Sequence, residues 1–233
     1  MSVAANIEKI EERILKACQR SGRKREDITF MCVTKQQPIE AIDEAWNGGL
    51  RCFGESRVQE TAAKFSGFRE RYPGAELHMV GSLQRNKAKL AVALFDCVQS
   101  LDRESLIDEV AKHALSREPP LPVLLEYRTG EDSKSGFTGM DALFRAAELA
   151  LSRPSLNVMG LMTIAPFTNE EGPVRAAFRC LALARKELER RFPDKGHGLH
   201  SWACLSMGMS TDYEIAIEEG ATLLRIGSAI FGE

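Results

Sequence analysis

Hydrophobic positions in this chain follow two alternating spacings. Short, nearly continuous apolar runs are separated by longer stretches in which apolar residues recur every three or four positions. That alternation is the pattern of parallel strands joined by helical crossovers, not of hairpins. Eight runs read as strands: 28–35, 52–55, 77–81, 97–101, 123–128, 158–164, 200–207 and 222–230. The clearest helix places Val174, Ala177, Phe178, Leu181, Ala184 and Leu188 on one face at a 3.6-residue period. A second amphipathic helix, carrying Ile7, Ile10, Ile14 and Cys18, precedes the first strand.

One leading helix, seven intervening helical stretches and eight strands give eight of each. That number closes a (β/α)8 TIM barrel whose outer ring is completed by the N-terminal helix. The expectation is one α/β domain over residues 1–233, with no C-terminal β domain, a length at which such barrels form single units. A doubly wound open sheet fits the same alternation, but no G-x-G-x-x-G follows the first strand, which counts against a dinucleotide fold.

Composition removes several classes of partner. Thirty-one Lys and Arg balance thirty-three Asp and Glu for a net charge of −2, which leaves no electrostatic footprint for nucleic acid or an anionic membrane. The apolar runs are far shorter than the ~20 residues of a bilayer span, and residues 1–20 lack the apolar centre of a signal peptide. Six cysteines, at 18, 32, 52, 97, 180 and 204, are scattered without a C-x-x-C pair, as expected of reduced thiols in a cytoplasmic protein.

Candidate chemistry gathers near the C-terminus. A closed barrel makes the first and eighth strands neighbours, so Lys35 and Arg225 are expected to share one pocket. Ser206, Met207 and Ser210 lie in the loop after the seventh strand, and Gly227 and Ser228 in the loop after the eighth. These two loops form a recurring phosphate site in this fold. Their backbone N–H groups and hydroxyls suit a dianion, although ordinary turn chemistry uses the same residue types. An amine ending a strand among apolar neighbours would lose basicity and could form an imine; the alternative is a lysine snorkelling to solvent. Together these features suggest pyridoxal 5'-phosphate held on Lys35.

Arg225 lies between Leu224 and Ile226, so its guanidinium is buried and needs a partner. Either the cofactor's ring nitrogen or an acid such as Glu55 or Glu126 would serve. In the first case the ring stays unprotonated, because arginine keeps its charge. Thr211-Asp-Tyr-Glu214 reads as a helix start facing the phosphate. His197 and His200 with Cys204 look superficially metal-like, but they lead into the seventh strand and so belong to the opposite face; no metal is expected. The segment 81–89 is basic and on the correct face, and 131–136 is a lid or a plain loop.

Several runs in order carry a resemblance: Val33-Thr-Lys35, Phe53-Gly-Glu-Ser-Arg-Val-Gln-Glu60, His78-Met-Val-Gly-Ser-Leu-Gln-Arg-Asn-Lys87, Ser133-Lys-Ser-Gly136, Gly160-Leu-Met162, Leu205-Ser-Met-Gly-Met-Ser210 and Arg225-Ile-Gly-Ser-Ala-Ile-Phe-Gly232. Over nearly its full length the chain resembles the pyridoxal phosphate homeostasis proteins, barrels similar to the N-terminal domain of alanine racemase. The resemblance implies an imine on Lys35, Arg225 at the ring nitrogen, and phosphate contacts from Ser206, Gly227 and Ser228. Ser56 stands where the family usually has Asn, which alters one ring or phosphate contact. Gln37 stands where a second lysine is common.

The functional expectation is a non-catalytic carrier, a monomer or weak dimer, that serves apo forms of pyridoxal-phosphate enzymes. A slow racemase would need a second acid/base group, for which Tyr213 is the one tyrosine to test. A Schiff-base aldolase acting without the cofactor is a third reading.

Overall fold

The computed structural model describes residues 2–130, 135–193 and 200–232. Helix α1 (Val3–Ser21) is capped by Ser2, whose hydroxyl accepts from the Ala5 N–H at 3.3 Å. It ends at Gly22 in the left-handed conformation (φ +67°), where a side chain would add strain. Its apolar face buries Ile7, Ile10, Ile14, Ala17 and Cys18.

Eight strands follow: β1 (Thr29–Val33), β2 (Cys52–Glu55), β3 (Glu76–Met79), β4 (Cys97–Leu101), β5 (Leu121–Glu126), β6 (Leu156–Met162), β7 (His200–Ser206) and β8 (Leu223–Ile226). They pair in sequence order, all parallel, and β1 closes on β8. The barrel expected from the alternating pattern is therefore the observed fold, and the open sheet is not. The crossovers carry α2 (Ile39–Asn47), α3 (Val58–Lys64), α4 (Phe68–Arg71), α5 (Ala88–Leu94), α6 (Glu104–His113), α7 (Met140–Leu151), α8 (Glu171–Arg191) and α9 (Tyr213–Glu218), and α10 (Ser228–Phe231) follows β8. As expected, α1 completes the ring by packing against α2, α9 and α10. Asn6 donates to the Ile230 carbonyl at 2.8 Å, and Arg13 and Arg20 pair with Glu214 and Glu218.

Several strand ends fall a few residues from the sequence expectation, two of them at β1 and β8. β1 stops at Val33, because residues 34–37 form a turn closed by Gln37 N–H to the Thr34 carbonyl at 3.1 Å, with Gln36 left-handed at φ +61°. β8 stops at Ile226, because Gly227 turns the chain into α10 and its carbonyl accepts from the Ile230 N–H at 2.8 Å.

Strand parity sorts the side chains into two cores. Cys32, Phe53, Leu77 and Val98 face outward into the main core beneath the helices, whereas Met31, Cys52 and Leu223 form a separate inner cluster. β6 is irregular: its register shifts against both β5 and β7 around Gly160. That glycine has φ +150°, and a Cβ there would lie 2.0 Å from the Cys204 carbonyl oxygen.

Candidate cofactor site

The C-terminal mouth of the barrel gathers most of the residues singled out from the sequence. β1 and β8 pair with Met31 opposite Arg225 and Cys32 opposite Ile226. One residue further, Gly227 comes so close to Val33 that an added Cβ would meet its carbonyl at 3.0 Å. Lys35 lies just beyond this contact. It is exposed, so the expectation of an amine held among apolar strand neighbours is corrected. The strand ends before reaching it, and the turn leaves it open to solvent.

That turn is clamped from below by residues the sequence reading did not assign. Thr34 is fully buried, and its hydroxyl donates to Glu55 Oε1 at 2.7 Å. Lys64, from α3, bridges the same carboxylate oxygen at 2.5 Å and donates to the Thr34 carbonyl at 2.7 Å. Gln36 N–H donates to Glu60 Oε1 at 3.2 Å. Glu55 Oε2 is buried with no hydrogen-bond partner among the described residues, a costly state for a carboxylate oxygen unless something polar arrives.

Across the mouth, Ser210 joins the two final crossovers. Its hydroxyl accepts from Gly227 N–H at 3.4 Å and from Ala229 N–H at 3.1 Å. The amides of this turn thus converge where an anionic oxygen could be held. Ser228 is exposed in the same turn. The helix start expected at 211–214 is present as α9, but Asp212 heads it, accepting from Met209 N–H at 2.6 Å. That carboxylate weakens the end of α9 as a phosphate contact.

Arg225 is 5 % exposed. Its Nη1 donates to Ser206 Oγ at 2.7 Å and its Nη2 to the Thr163 carbonyl at 2.7 Å. The ion pair with Glu55 or Glu126 considered from the sequence is not formed: Glu55 holds Lys64, and Glu126 accepts from Ser135 at 2.6 Å. Burial pulls Arg225 down to about 10, opposed by the nearby carboxylates of Asp212 and Glu126. Burial likewise pushes the Glu126 carboxyl up, against the pull of Ser135 and Arg225.

The Ser206 hydroxyl does not face the mouth. It accepts from Arg225 and donates to Gln99 Oε1 at 2.6 Å, and so fixes the guanidinium. Met207 is fully buried in the main core, and its N–H is spent on the Leu223 carbonyl at 3.1 Å. Ser56 is half-buried in the bend after β2, where its carbonyl would meet a Cβ on Gly81 at 2.3 Å. It lines a cavity of about 500 Å³ with Gln84 and Lys87, out of the basic 81–89 segment.

Below Arg225 the polar chain continues. Gln99 Nε2 lies 2.8 Å from His78 Nδ1, and His78 Nε2 lies 3.1 Å from Glu76 Oε2. Hydrogen bonds therefore run from Arg225 to the opposite, N-terminal mouth. Tyr213 takes no part: it is buried with its ring under Arg13 at 5.2 Å and its hydroxyl unpartnered among the described residues, so it is not a second acid/base group at the mouth. His197 and the segment 131–134 lie outside the described residues.

Comparison with known proteins decides the kinship. The family described as "Alanine racemase, N-terminal domain" matches residues 5–233. The pyridoxal phosphate homeostasis protein of Aquifex aeolicus is 38 % identical, covering 100 % of this chain and 99 % of its own. That of Vibrio cholerae is 40 % identical, over 100 % and 96 %. The chain belongs to the pyridoxal phosphate homeostasis protein family. Among solved structures, PipY of Synechococcus elongatus with PLP bound superposes with a TM-score of 0.80 at 30 % identity, covering 96 % of this chain and 100 % of PipY. The family membership and the barrel inferred from the sequence motifs are thus both observed. No helix among the described residues is long and apolar enough to cross a membrane.

Proposed function

We propose that this member of the family holds pyridoxal 5'-phosphate as an imine on Lys35 and acts as a non-catalytic carrier in the cytoplasm, delivering the cofactor to apo forms of pyridoxal-phosphate enzymes. The single observation that carries the reading is the β1–β8 register. It sets Val33 against Gly227, and so puts an exposed lysine and an amide-rich turn at one mouth, above a buried guanidinium. The bound cofactor in PipY supports it.

The residues present fit such a group. The exposed Lys35 amine is accessible to an incoming aldehyde, with which it condenses by losing water. The amides of Gly227 and Ser228, with Ser210, suit a phosphate. Arg225, held by Ser206 and Thr163, can donate to a ring nitrogen but cannot hand over a proton there. Met207 and Ser206 support the site from beneath, and Ser56 stands at its rim beside Gly81. When bound, the cofactor supplies an aldehyde carbon and an electron sink. An arginine facing its ring keeps that sink weak, unlike the aspartate of transaminases, which suits storage better than turnover.

The test is optical. Protein loaded with pyridoxal phosphate should show a visible imine band that borohydride bleaches, and Lys35→Ala should lose both the band and the covalent label. A labelled peptide mapping to another lysine would overturn the assignment. Lysine-dependent racemisation of alanine or serine well above free cofactor, read by chiral chromatography, would overturn the carrier reading. A folded protein that never takes up the cofactor would overturn both.

A further inference from the structure

The N-terminal mouth of the barrel, remote from Lys35, holds a second cluster of reactive side chains. Cys52 and Glu76 are register partners on β2 and β3, and His78 lies two residues further along β3 on the same face. One ligand atom from each lies within 4.8 Å of the other two. Cys52 Sγ is 3.9 Å from His78 Nε2, which is 3.1 Å from Glu76 Oε2. Bond lengths of about 2.3 Å to sulfur and 2.0–2.2 Å to nitrogen and oxygen, at tetrahedral angles, require separations of about 3.6 Å and 3.4 Å. Those two separations stand within a few tenths of an ångström of these values, and the third, between Cys52 and Glu76, is no more than 4.8 Å.

Three further features fit a ligand. The ring of His78 is held through its other nitrogen, Nδ1, by the Gln99 side-chain amide at 2.8 Å, which also meets Ser206 at 2.6 Å; turned so that its oxygen accepts from Nδ1–H and its nitrogen donates to Ser206, that amide leaves Nε2 free to ligate. Orientation of a ligating imidazole through its remote nitrogen is the usual support of a metal site. His78 is 7 % exposed and Cys52 7 %, whereas Glu76 reaches the surface, so the cluster is dry inside with an open entry. A cavity of about 560 Å³ lies against Glu76 and His78, so a water entering from it can complete the coordination. The two arginines on its wall are engaged elsewhere: Arg69 with Asp96 at 2.7 Å, Arg117 with the Val92 and Phe95 carbonyls.

We propose that Cys52, Glu76 and His78 form a binding site for a thiophilic divalent cation, Zn²⁺ being the best match, at the end of the barrel opposite the cofactor mouth. Sulfur, nitrogen and oxygen donors together suit zinc better than magnesium or calcium. The Cys52 thiol releases its proton to solvent on binding. Thiolate and carboxylate then neutralise the two positive charges, and His78 contributes a neutral ring. Nothing in this site uses Lys35, so it stands or falls independently of the carrier function.

The full chain, reduced and freed of metal by a chelator, is titrated with Co²⁺ and then Zn²⁺. One equivalent of Co²⁺ should bring a thiolate charge-transfer band and intense visible bands of four-coordinate cobalt, which one equivalent of Zn²⁺ abolishes. Cys52→Ser should lose the charge-transfer band, and Glu76→Gln, at the exposed rim, should weaken binding at least about tenfold with an unchanged circular dichroism spectrum. Zn²⁺ should raise the melting temperature of the parent but not of Cys52→Ser, as mass action demands. A parent protein without the bands, or a Cys52→Ser variant that keeps them at full strength, overturns the site. Since Cys52→Ser could unfold, His78→Gln provides the second reading, and equal Co²⁺ affinity in folded His78→Gln overturns the proposal as well.

Discussion

At the scale of single residues, the surroundings of two side chains differ from those the sequence suggested. Lys35 was expected within a strand because Phe30-Met-Cys-Val is continuous apolar sequence. The signal that ends the strand is Pro38, which restricts Gln37 and favours a turn there. Ser206 was expected to face a phosphate because its loop does, but its hydroxyl points inward to Gln99, a partner 107 positions earlier in the chain. No local pattern encodes that pairing. Arg225 was read correctly as buried, yet its partners are a hydroxyl and a carbonyl, not an acid. This permits a prediction in the cofactor-free protein. Arg225→Lys keeps a cation but cannot reach both acceptors as a planar fork, so one charged hydrogen bond is lost and stability should fall by about 1.5–3 kcal/mol. Urea denaturation followed by far-ultraviolet circular dichroism measures it, and a midpoint equal to that of the parent would show that the fork contributes nothing.

Among the elements, the strands were legible because both faces of a parallel strand are buried and their runs are nearly all apolar. What escaped was the irregularity of β6. The Gly160-Leu-Met run stood out only as a resemblance, whereas the structure gives its physical reason: the register slips at Gly160 on both sides, and the backbone of β7 passes where a Cβ would be. The slip matters for the site, because β6 delivers the Thr163 carbonyl to Arg225, and Thr163 N–H in turn donates to the Ser206 carbonyl at 3.1 Å. Gly160→Ala must therefore push β6 away from β7 or change its backbone conformation. The expected loss exceeds the roughly 1–3 kcal/mol of ordinary overpacking, with much of the protein insoluble or unfolded. If thermal unfolding places Gly160→Ala within about 0.5 kcal/mol of the parent, within the range of ordinary surface substitutions, the bulge is not a steric necessity. The inner polar chain belongs to this scale too: Cys52, His78 and Gln99 come from three consecutive strands, and only barrel closure makes them neighbours of Ser206 and Arg225.

For the whole molecule, the count of strands and helices was enough to infer closure, because a barrel needs eight of each and the leading amphipathic helix supplied the missing one. What the count left open is how α1 is attached. Two contributions are visible: a stripe of fully or nearly buried residues including Ile10 and Ile14, and a surface network in which Arg13 and Arg20 meet Glu214 and Glu218. The arginine side chains are about half exposed, at 50 % and 49 %, so solvent screens each pair to about 0.2–1 kcal/mol. Ile14 is 0 % exposed, and its truncation to Ala both removes apolar burial and leaves a cavity, at about 2–5 kcal/mol. Burial should therefore dominate the seam between the N-terminal helix and the last crossovers. Ile14→Ala should lower the melting temperature markedly more than the double change Arg13→Ala with Arg20→Ala, and only the double change should lose its effect in high salt, which screens exposed charges. The opposite ranking would mean that the ring is clasped by its surface charges. Because α1 packs on α10, which begins at Ser228 directly after Gly227, a seam weakened by Ile14→Ala should also loosen retention of pyridoxal phosphate. That effect is measurable as faster loss of the visible band during dialysis, with Lys35 itself untouched.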